Sequence, residues 1–297
     1  MHVFVTGATG LIGRTLCEAL IRRGDQVTAL SRRPGAARPA GLRLVEGDPA
    51  VAGPWTAALA GADAVVHLAG EPVAGGRWTA ARKARIVASR LDSTRLVAGA
   101  VAAGGPRVLV QGSATGFYGD RGDEPLDEAA APGRGFLADL SMRWEAAAAP
   151  AAARARLVFI RTGLVLASQG GALPALARPF RLFAGGPLGD GRGWQPWIHL
   201  ADEVGLLLLA LDDARASGPL NAVAPAPVRQ AELAQTLARV LRRPNLLAVP
   251  AAALRLAVGE LAEVLLASQR VVPAQAEALG YRFKFPTLGP ALRDLLG

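Results

Sequence analysis

Three glycines near the N-terminus, Gly7, Gly10 and Gly13, have a spacing that suits contact with phosphate groups. They follow the apolar run 3–6 and open the amphipathic stretch 11–23, so a strand is predicted to lead through a glycine turn into a helix. Gly7 permits a tight turn, Gly10 lets the backbone approach a pyrophosphate, and Gly13 lets the helix pack on the strand. The N–H groups at the start of that helix would face the phosphates. The segment predicts a dinucleotide site, an ordinary strand-to-helix turn being the alternative. The predicted contacts are Gly7, Thr9, Gly10, Leu11, Ile12 and Gly13.

The end of the second predicted strand indicates which dinucleotide is bound. In NAD-binding folds an acidic residue about 20 residues after the glycines accepts hydrogen bonds from the ribose 2′-hydroxyl. Here the sequence reads Ser31-Arg32-Arg33, and guanidinium groups suit a 2′-phosphate. We therefore predict NADP(H) as the cofactor, two solvated arginines being the alternative. Asp48, after the third strand, is either a contact to the adenine amino group or a plain turn residue.

The N-terminal half predicts a scaffold that brings such strand ends together. Strands are predicted at 2–6, 26–30, 42–46, 64–68, 107–111 and 157–161, and helices at 11–23, 55–60, 79–103 and 136–149. Strands separated by helices indicate a parallel sheet, and near-continuous apolar strands suit burial on both faces. We predict an α/β fold, a doubly wound, mostly parallel NAD(P)-binding Rossmann sheet. Ligands bind at the carboxyl edge of such sheets, where Leu68, Ala69 and Gly70 follow the fourth strand.

The sequence pattern changes after residue 166. The Gly/Pro-rich stretch 185–191 has no periodicity, and helices are then predicted at 202–211, 230–241, 251–267 and 288–296, with a strand at 220–223. We predict an NADP-binding Rossmann domain over residues 1–166. Residues 167–297 are predicted to form a smaller C-terminal α/β substrate lobe, partly interleaved with the first domain.

Composition excludes several classes of function. The net charge is +9, but the arginines are scattered and aromatic residues make up only 5% of the chain, which argues against nucleic-acid binding. No apolar segment reaches the ~20 residues that span a bilayer, and the first residues already form a predicted strand, so we expect a cytoplasmic protein without membrane association. The one cysteine, Cys17, is predicted to be a buried structural thiol, and the three separated histidines predict no metal site.

Motifs after the fourth and fifth strands give the chain a family resemblance. They read His67-Leu68-Ala69-Gly70-Glu71 and Gly112-Ser113-Ala114-Thr115-Gly116-Phe117-Tyr118-Gly119-Asp120, and further matching segments are Ser89-Arg90, Trp144-Glu145, Arg161-Thr162-Gly163, Trp197-Ile198-His199 and Asn221-Ala222-Val223. Nearly end to end, the chain resembles the atypical "epimerase family protein" subgroup of the short-chain dehydrogenases/reductases. The resemblance implies a Rossmann domain with a C-terminal substrate lobe. It also implies NADP contacts at Ser31, Arg32, Leu68, Ala69 and Arg90, although Arg90 alone would read as a helix-surface arginine.

One part of the family pattern is missing. Extended short-chain dehydrogenases use a serine or threonine after the fifth strand together with a Tyr-x-x-x-Lys pair on the next helix, whose lysine lowers the pKa of the tyrosine. Ser113 and Thr115 supply the first element, but the two positions expected for the pair fall at about Leu137 and Ser141. No tyrosine or lysine occurs between Tyr118 and Tyr281, so the usual proton-transfer pair is absent.

The candidate catalytic residues are therefore Ser113 and Tyr118. Ser113 is expected to orient a substrate oxygen, and Tyr118, or a bound water, to exchange the proton; a pocket-wall or packing role is the alternative for Tyr118. Other titratable candidates are Asp120, Asp139 and His199, of which His199 is expected to be structural. Four aromatic residues either line an apolar pocket or pack in the core: Trp194, Trp197, Phe180 and Phe183.

Two classes of function follow from these observations. The first is an NADP-dependent oxidoreductase or epimerase-like enzyme that acts on a small carbonyl or hydroxyl compound, as a monomer or homodimer. The second is a non-catalytic NADP-binding sensor or interaction module that has lost the Tyr-x-x-x-Lys machinery.

Overall fold

The computed structural model describes residues 1–33, 35 and 39–297 as an alternation of strands and helices. The strands are β1 (His2–Thr6), β2 (Gln26–Ser31), β3 (Leu42–Glu46), β4 (Ala64–His67), β5 (Val108–Ala114), β6 (Pro125–Leu126), β7 (Arg156–Thr162), β8 (Leu164–Leu166), β9 (Trp194–Gln195), β10 (Trp197–His199), β11 (Gly218–Ala222), β12 (Val228–Arg229) and β13 (Arg270–Val271). The helices are α1 (Leu11–Arg22), α2 (Trp55–Ala60), α3 (Ala80–Ala103), α4 (Phe136–Ala148), α5 (Leu173–Arg181), α6 (Leu200–Asp212), α7 (Gln230–Leu241), α8 (Ala251–Val258), α9 (Leu261–Leu266), α10 (Ala274–Ala278) and α11 (Leu288–Leu296).

The main sheet is parallel and its strand order reverses beside β1. Within the described residues it has seven strands in the order β11-β7-β5-β4-β1-β2-β3. The chain moves outward from β1 to β2 and β3, and then returns to β4 on the other side of β1. Such a reversal opens a crevice at the carboxyl ends of the strands, where ligands bind in this kind of sheet. The predicted doubly wound Rossmann fold is confirmed.

Helices cover both faces of this sheet because its strands are apolar on both sides. On one face, a core cluster joins Val3 and Val5 to Leu16 of α1 and Leu207 of α6. On the other face, Phe4 packs in a cluster with α2 and α3. Because helices cover both faces of the sheet, polar groups can contact a ligand only at the ends of the strands.

Residues after position 166 contribute to this sheet as well as to a second core. Strand β11 pairs with β7 along the whole of residues 218–222, and α6 packs on the sheet. A separate cluster, built on Phe180, Trp197, Leu233 and Leu288, joins α5, α7 and α11. The C-terminal segment is thus interwoven with the sheet before it forms its own layer.

Two differences from the predicted elements have local causes. The helix predicted over residues 251–267 is wrong as a single element, because Gly259, with φ +64°, ends α8 and a new helix follows. The sequence pattern also gave no indication of α5, which contains Pro179, or of β8, which is only three residues long. Helix α3 begins after Thr79, whose side chain caps it by accepting a hydrogen bond from the Arg82 N–H.

Candidate functional site at the carboxyl edge of the sheet

The turn between β1 and α1 has glycine where a side chain would collide with backbone. Gly7 has φ +72°, and a Cβ there would lie 2.7 Å from the carbonyl carbon of Leu68. A Cβ on Gly13 would lie 2.3 Å from the Gly7 oxygen. The Gly10 N–H donates to that same oxygen at 2.9 Å, which closes the turn. Both contacts involve backbone, so these positions tolerate only glycine without a shift of the loop.

The start of α1 presents backbone donors on an open surface. Gly10 is the N-cap residue and has no side chain with which to accept hydrogen bonds from the first turn. The N–H groups of Leu11, Ile12 and Gly13 are first-turn donors that a helix leaves without intrahelical acceptors. Thr9 and Gly10 are exposed. A Cβ on Gly10 would have the Gly7 oxygen as its nearest neighbour at 3.2 Å, so it would fill the open side of the turn. These features fit a pyrophosphate.

The end of β2 is shaped by Ser31 and presents two arginines. The buried Ser31 hydroxyl donates to the Arg33 carbonyl at 3.2 Å and accepts from the Arg33 N–H at 3.1 Å. This local turn directs Arg32 and Arg33 to the surface, and the Arg32 side chain is 76% exposed. Asp48 accepts a hydrogen bond from the Ala50 N–H, and its other oxygen lies 3.9 Å from the Arg32 guanidinium. Asp48 is therefore a turn residue that also lies near Arg32.

A buried histidine fixes the end of β4, where Leu68, Ala69 and Gly70 begin. The Ser93 hydroxyl donates its one proton to the Ser89 carbonyl at 2.7 Å, so it must accept from His67 Nε2 at 3.0 Å. His67 Nδ1 then accepts from the Thr6 hydroxyl at 2.5 Å, and that hydroxyl accepts from the Ala69 N–H at 3.3 Å. Burial lowers the pKa of His67 to about 3, which keeps the ring neutral. The chain of bonds holds the ends of β1 and β4 against α3.

Arg90 supports the loop that follows β4 from below. Its guanidinium donates to the Glu71 carbonyl at 2.9 Å and lies over the ring of Trp144 at 4.9 Å. A Cβ on Gly70 would lie 3.2 Å from the Arg90 guanidinium carbon, so the loop and the guanidinium are in close contact. Burial lowers the pKa of Arg90 to about 10, and the nearby Glu71 partly opposes this effect. Arg90 is therefore a largely buried residue that holds the loop after β4, and it is not a solvated arginine on the helix surface.

A buried ion pair lies directly behind Ser113 at the end of β5. The Ser113 hydroxyl donates to Glu145 Oε1 at 2.7 Å. The Arg161 guanidinium binds both oxygens of the same carboxylate, each at 2.9 Å. Burial would lower the pKa of Arg161, but the hydrogen bonds and charge of Glu145 raise it overall. Since the Ser113 proton points towards Glu145, the remaining lone pairs of its oxygen are left to accept from another group.

Tyr118 belongs to the same network but lies deeper in the protein. Its side chain is 0% exposed, and its hydroxyl donates to Asn221 Oδ1 at 2.7 Å and accepts from Arg161 Nη1 at 2.9 Å. Burial raises its pKa, and the charge of Arg161 opposes that shift. Asn221 is held in turn by Glu128, which accepts from the Asn221 N–H at 2.9 Å. The Tyr118 hydroxyl is therefore occupied by protein groups on both its donor and acceptor sides.

A cavity of about 500 Å³ lies beside this network. Its lining includes Ala114 and Thr115 directly after Ser113, and Leu137 at the start of α4. Leu137, at about the position predicted for the family's tyrosine, is therefore one of the lining residues. Ser141, one turn further along α4, is buried. Neither Ser113 nor Tyr118 lines the cavity itself, and each is the sequence neighbour of a lining residue, Ala114 and Gly119 respectively.

The other titratable candidates have structural partners. His199 accepts from the Ala201 N–H at the start of α6 and lies 3.3 Å from Asp294 of α11, which agrees with the expected structural role. Burial lowers its pKa, and the charge of Asp294 opposes that shift. Asp120 accepts from two backbone N–H groups at the cavity rim. Asp139 lies exposed in the first turn of α4, where a carboxylate complements the helix dipole.

The aromatic candidates lie outside the cavity lining that the described residues form. Phe180 and Trp197 are buried in the core of the C-terminal layer. Phe183 is 62% exposed and lies against the Arg243 guanidinium, while Trp194 lies near two arginines. Nothing in the sequence around these four aromatic residues indicates which of them would reach a cavity.

Cys17 is buried with no exposed surface, and burial raises its pKa to about 12, as expected for a structural thiol.

In residues 1–33, 35 and 39–297, His, Cys, Asp and Glu side chains form no group of three or more suited to a metal ion. Over the same ranges, no helix has both the length and the apolar character that crossing a bilayer requires.

The fold and site geometry define a Rossmann-type α/β protein of the short-chain dehydrogenase kind. Residues 3–223 match the NAD dependent epimerase/dehydratase family, and residues 249–295 match a domain of unknown function, DUF1731. The chain belongs to the NAD-dependent epimerase/dehydratase family. The resemblance inferred from the motifs is therefore confirmed.

Similar proteins occur in plants, animals and bacteria. An Arabidopsis thaliana epimerase family protein, the chloroplastic homologue of SDR39U1, is 38% identical and aligns with 100% of this chain and 87% of its own length. The crystal structure of human epimerase family protein SDR39U1 with NADPH is 34% identical with a TM-score of 0.89, covering 99% of both chains. A nucleoside-diphosphate sugar epimerase from Corynebacterium glutamicum is 38% identical with a TM-score of 0.82, and this chain covers 58% of it. Because the plant relative is named as chloroplastic, a cytoplasmic location stays a prediction for this chain.

Proposed function

We propose that this chain is an NADP(H)-dependent oxidoreductase or epimerase-like enzyme that acts on a small hydroxyl or carbonyl compound. The observation that carries the proposal is the Ser113–Glu145 hydrogen bond of 2.7 Å beside a cavity at the carboxyl edge of the sheet. This arrangement joins a hydroxyl to a carboxylate where the family's usual tyrosine and lysine are replaced by Leu137 and Ser141.

NADP(H) is proposed as the cofactor on three grounds. The glycine turn and the start of α1 fit a pyrophosphate, with Leu68, Ala69 and Gly70 bordering the same crevice. Arg32 and Arg33 offer positive charge at the end of β2, where a 2′-phosphate would be recognised. The human relative's structure contains NADPH. When bound, the nicotinamide supplies or accepts a hydride.

The chain's own contribution is a proton relay. The Ser113 oxygen accepts the hydroxyl proton of the substrate while the Ser113 proton moves to Glu145 Oε1, so one proton leaves the substrate and one arrives on the carboxylate. Arg161 holds that carboxylate in place through two hydrogen bonds. In the reverse direction the same two protons return. Ser113 is the catalytic residue in this proposal, whereas Glu145 and Arg161 act through it.

Tyr118 is given a different role from the one expected from the sequence. Its hydroxyl already donates to Asn221 and accepts from Arg161, both inside the protein. A substrate could reach it only by displacing a buried partner, and that would leave an unsatisfied polar group. We therefore propose that Tyr118 positions Arg161. The substrate exchanges its proton with Ser113, which passes a proton to Glu145.

Substitution of Ser113 by Ala tests this proposal. The S113A variant keeps the Glu145–Arg161 pair, so we expect NADPH affinity within twofold of wild type but kcat at least ~100-fold lower on any alcohol or carbonyl that the wild type turns over. Absorbance of NADPH measures the rate, and fluorescence titration measures cofactor affinity. The matched control is Ser141→Ala, which removes another buried serine hydroxyl, on α4, and should leave both quantities unchanged. An undiminished rate in S113A would contradict the relay.

A second function is a non-catalytic NADP(H)-binding sensor or interaction module. The observation in its favour is the loss of the tyrosine–lysine pair together with the internal commitment of the Tyr118 hydroxyl. Wild-type protein that binds NADPH but turns over no compound in a broad alcohol and carbonyl panel would favour this second function. The sequence-based expectation of a monomer or homodimer stays a prediction in either case.

A further inference from the structure

The cavity beside Ser113 has walls from both halves of the chain. The turn after β5 and the start of α4 form one side, represented by Thr115 and Leu137. Helix α9, from the C-terminal half, contributes Val264 and Leu265. Its volume of about 500 Å³ falls within the range of sites that take small organic molecules. The chemistry of these walls constrains what the site accepts.

One wall of the cavity is apolar and includes the indole ring of Trp78. The only polar atom of the Trp78 side chain, Nε1, donates to the Val73 carbonyl at 3.0 Å. The ring of Trp78 meets that of Phe136 edge to face, with centroids 5.0 Å apart. Val264 and Leu265 face the cavity from α9. A ligand against this wall meets carbon surface, which favours an apolar body.

The acidic residues of the lining already have partners in the protein. Glu260 is paired with Lys83 of α3, and Glu263 with Arg255 of α8 at 2.8 Å. Asp120 accepts from two backbone N–H groups. These carboxylates are therefore satisfied without a ligand, and they add no positive charge to the cavity.

Positive charge is scarce on the same walls. Among the described lining residues, Arg134 is the one arginine or lysine, against the three carboxylates of Asp120, Glu260 and Glu263. The start of α4 also borders the cavity and has no side-chain cap, but the negative charge of Asp139 in its first turn offsets the positive end of that helix. A diphosphate carries at least two negative charges and is usually held by several basic groups or by a free helix start. These walls are poorly matched to it.

We propose that the substrate is an uncharged alcohol or carbonyl compound with an aromatic or branched aliphatic body, and that it is not a nucleoside diphosphate sugar. This inference rests on the proposed function, because it assumes that the cavity beside Ser113 is where the reacting oxygen lies. It separates this chain from the nucleotide-sugar chemistry named for the Corynebacterium glutamicum neighbour.

Binding rather than turnover tests the inference. Saturation-transfer NMR and calorimetry on the full chain, saturated with NADPH, would compare phenylbutanol as the apolar probe with UDP-glucose as the nucleotide probe. We expect phenylbutanol to bind with a Kd of about 1 mM or tighter, as its size allows. UDP-glucose is expected to bind at least ~10-fold more weakly.

A charge placed on the apolar wall locates the bound probe. Leu265 lines the cavity and lies outside the core clusters of the described residues, so Leu265→Lys should fold. Because an ammonium group would face the apolar probe, the affinity for phenylbutanol should fall at least ~10-fold. The control is Leu246→Lys, the same change at a residue that is 79% exposed and outside the lining, and it should leave the affinity unchanged. Circular dichroism and NADPH affinity verify that each variant is folded.

Three results would overturn the inference. The first is tighter binding of UDP-glucose than of phenylbutanol. The second is undetectable binding of phenylbutanol, and the third is phenylbutanol binding that Leu265→Lys does not weaken. The outcome is distinguishable from failure of the proposed relay. If phenylbutanol binds in the cavity while S113A and wild type behave alike in turnover, the substrate class stands and the role of Ser113 falls.

Discussion

Replacing Tyr118 by Phe separates a positioning role from a catalytic one. The substitution removes one oxygen and keeps the ring, which packs edge to face against Phe117 at 5.4 Å. Asn221 Oδ1 then loses its donor, and Arg161 loses one acceptor inside the protein. The Glu145–Arg161 pair and the Ser113 hydrogen bond remain in place.

The size of the effect follows from those two hydrogen bonds. A buried bond between neutral groups contributes ~1 kcal/mol and one to a charged group ~2 kcal/mol, and an unsatisfied buried oxygen adds to the cost. We expect Tyr118→Phe to lower the free energy of unfolding by about 2–3 kcal/mol. For a chain of this length that corresponds to a fall in Tm of roughly 5 °C.

Urea denaturation and NADPH-linked turnover measure the two roles in one set of proteins. In Tyr118→Phe we expect lower stability, but cofactor affinity and kcat within about threefold of wild type at temperatures where the chain is folded. The matched control is Tyr281→Phe, which removes the other tyrosine hydroxyl of the chain. That hydroxyl donates to Asp202, whose carboxylate keeps two backbone donors, so a smaller loss of stability is expected.

The opposite pattern would refute the reasoning. If Tyr118→Phe unfolds at the same urea concentration as wild type but loses turnover by ~100-fold or more, the hydroxyl acts on the substrate and is not a positioning group. Glu145 would then no longer be needed as the proton acceptor. Tyr118 would be the residue that contacts the substrate, in place of Ser113.

Two further predictions concern the cofactor and the pH dependence of stability. Arg32→Ala should weaken NADP⁺ binding about 10-fold and leave NAD⁺ binding unchanged, because only NADP⁺ carries a 2′-phosphate. Fluorescence titration measures both affinities, and Arg43→Ala, which changes an exposed arginine of β3, is the control. Equal effects of Arg32→Ala on both cofactors would contradict the assignment. Burial raises the pKa of the Glu203 carboxyl from 4.5 to about 8, so the folded chain keeps a proton that the unfolded chain releases, and stability falls as pH rises through that interval. Glu203→Gln removes this dependence, and the variant should gain about 3 kcal/mol relative to wild type between about pH 5 and pH 8 in urea denaturation; a constant difference would contradict the shifted pKa.

Much of the fold could be predicted because its information is local. The strand His2–Thr6, the turn at Gly7 and Gly10, and helix α1 are each determined by residues that are neighbours in sequence. The helix over residues 230–241 and the strand over 42–46 were predicted with the bounds that the structure has. The break at Gly259 was missed because both sides of it are rich in alanine and leucine, so the apolar pattern continues across it.

The candidate site could be predicted only in part, because its key contacts join distant residues. The network joins three residues from three different elements, Ser113, Glu145 and Arg161. Each of them belongs to a separate sequence motif, and nothing in those motifs indicates that the three side chains meet. Tyr118 was considered as a proton partner because it follows the fifth strand closely. Its burial depends on Asn221, about a hundred residues further on, and nothing in the local sequence indicates that contact.

The position of Arg161 has a consequence for the direction of the proposed chemistry. In the usual pair, the charge of lysine favours the ionised form of tyrosine. Here Arg161 donates hydrogen bonds to the Glu145 carboxylate, and the proton of Ser113 is already directed towards that carboxylate. A substrate hydroxyl can give up its proton to this network at once, whereas reduction of a carbonyl first requires a proton on Glu145. The network therefore favours removal of a proton from an alcohol, which makes alcohols and NADP⁺ the first pair to assay.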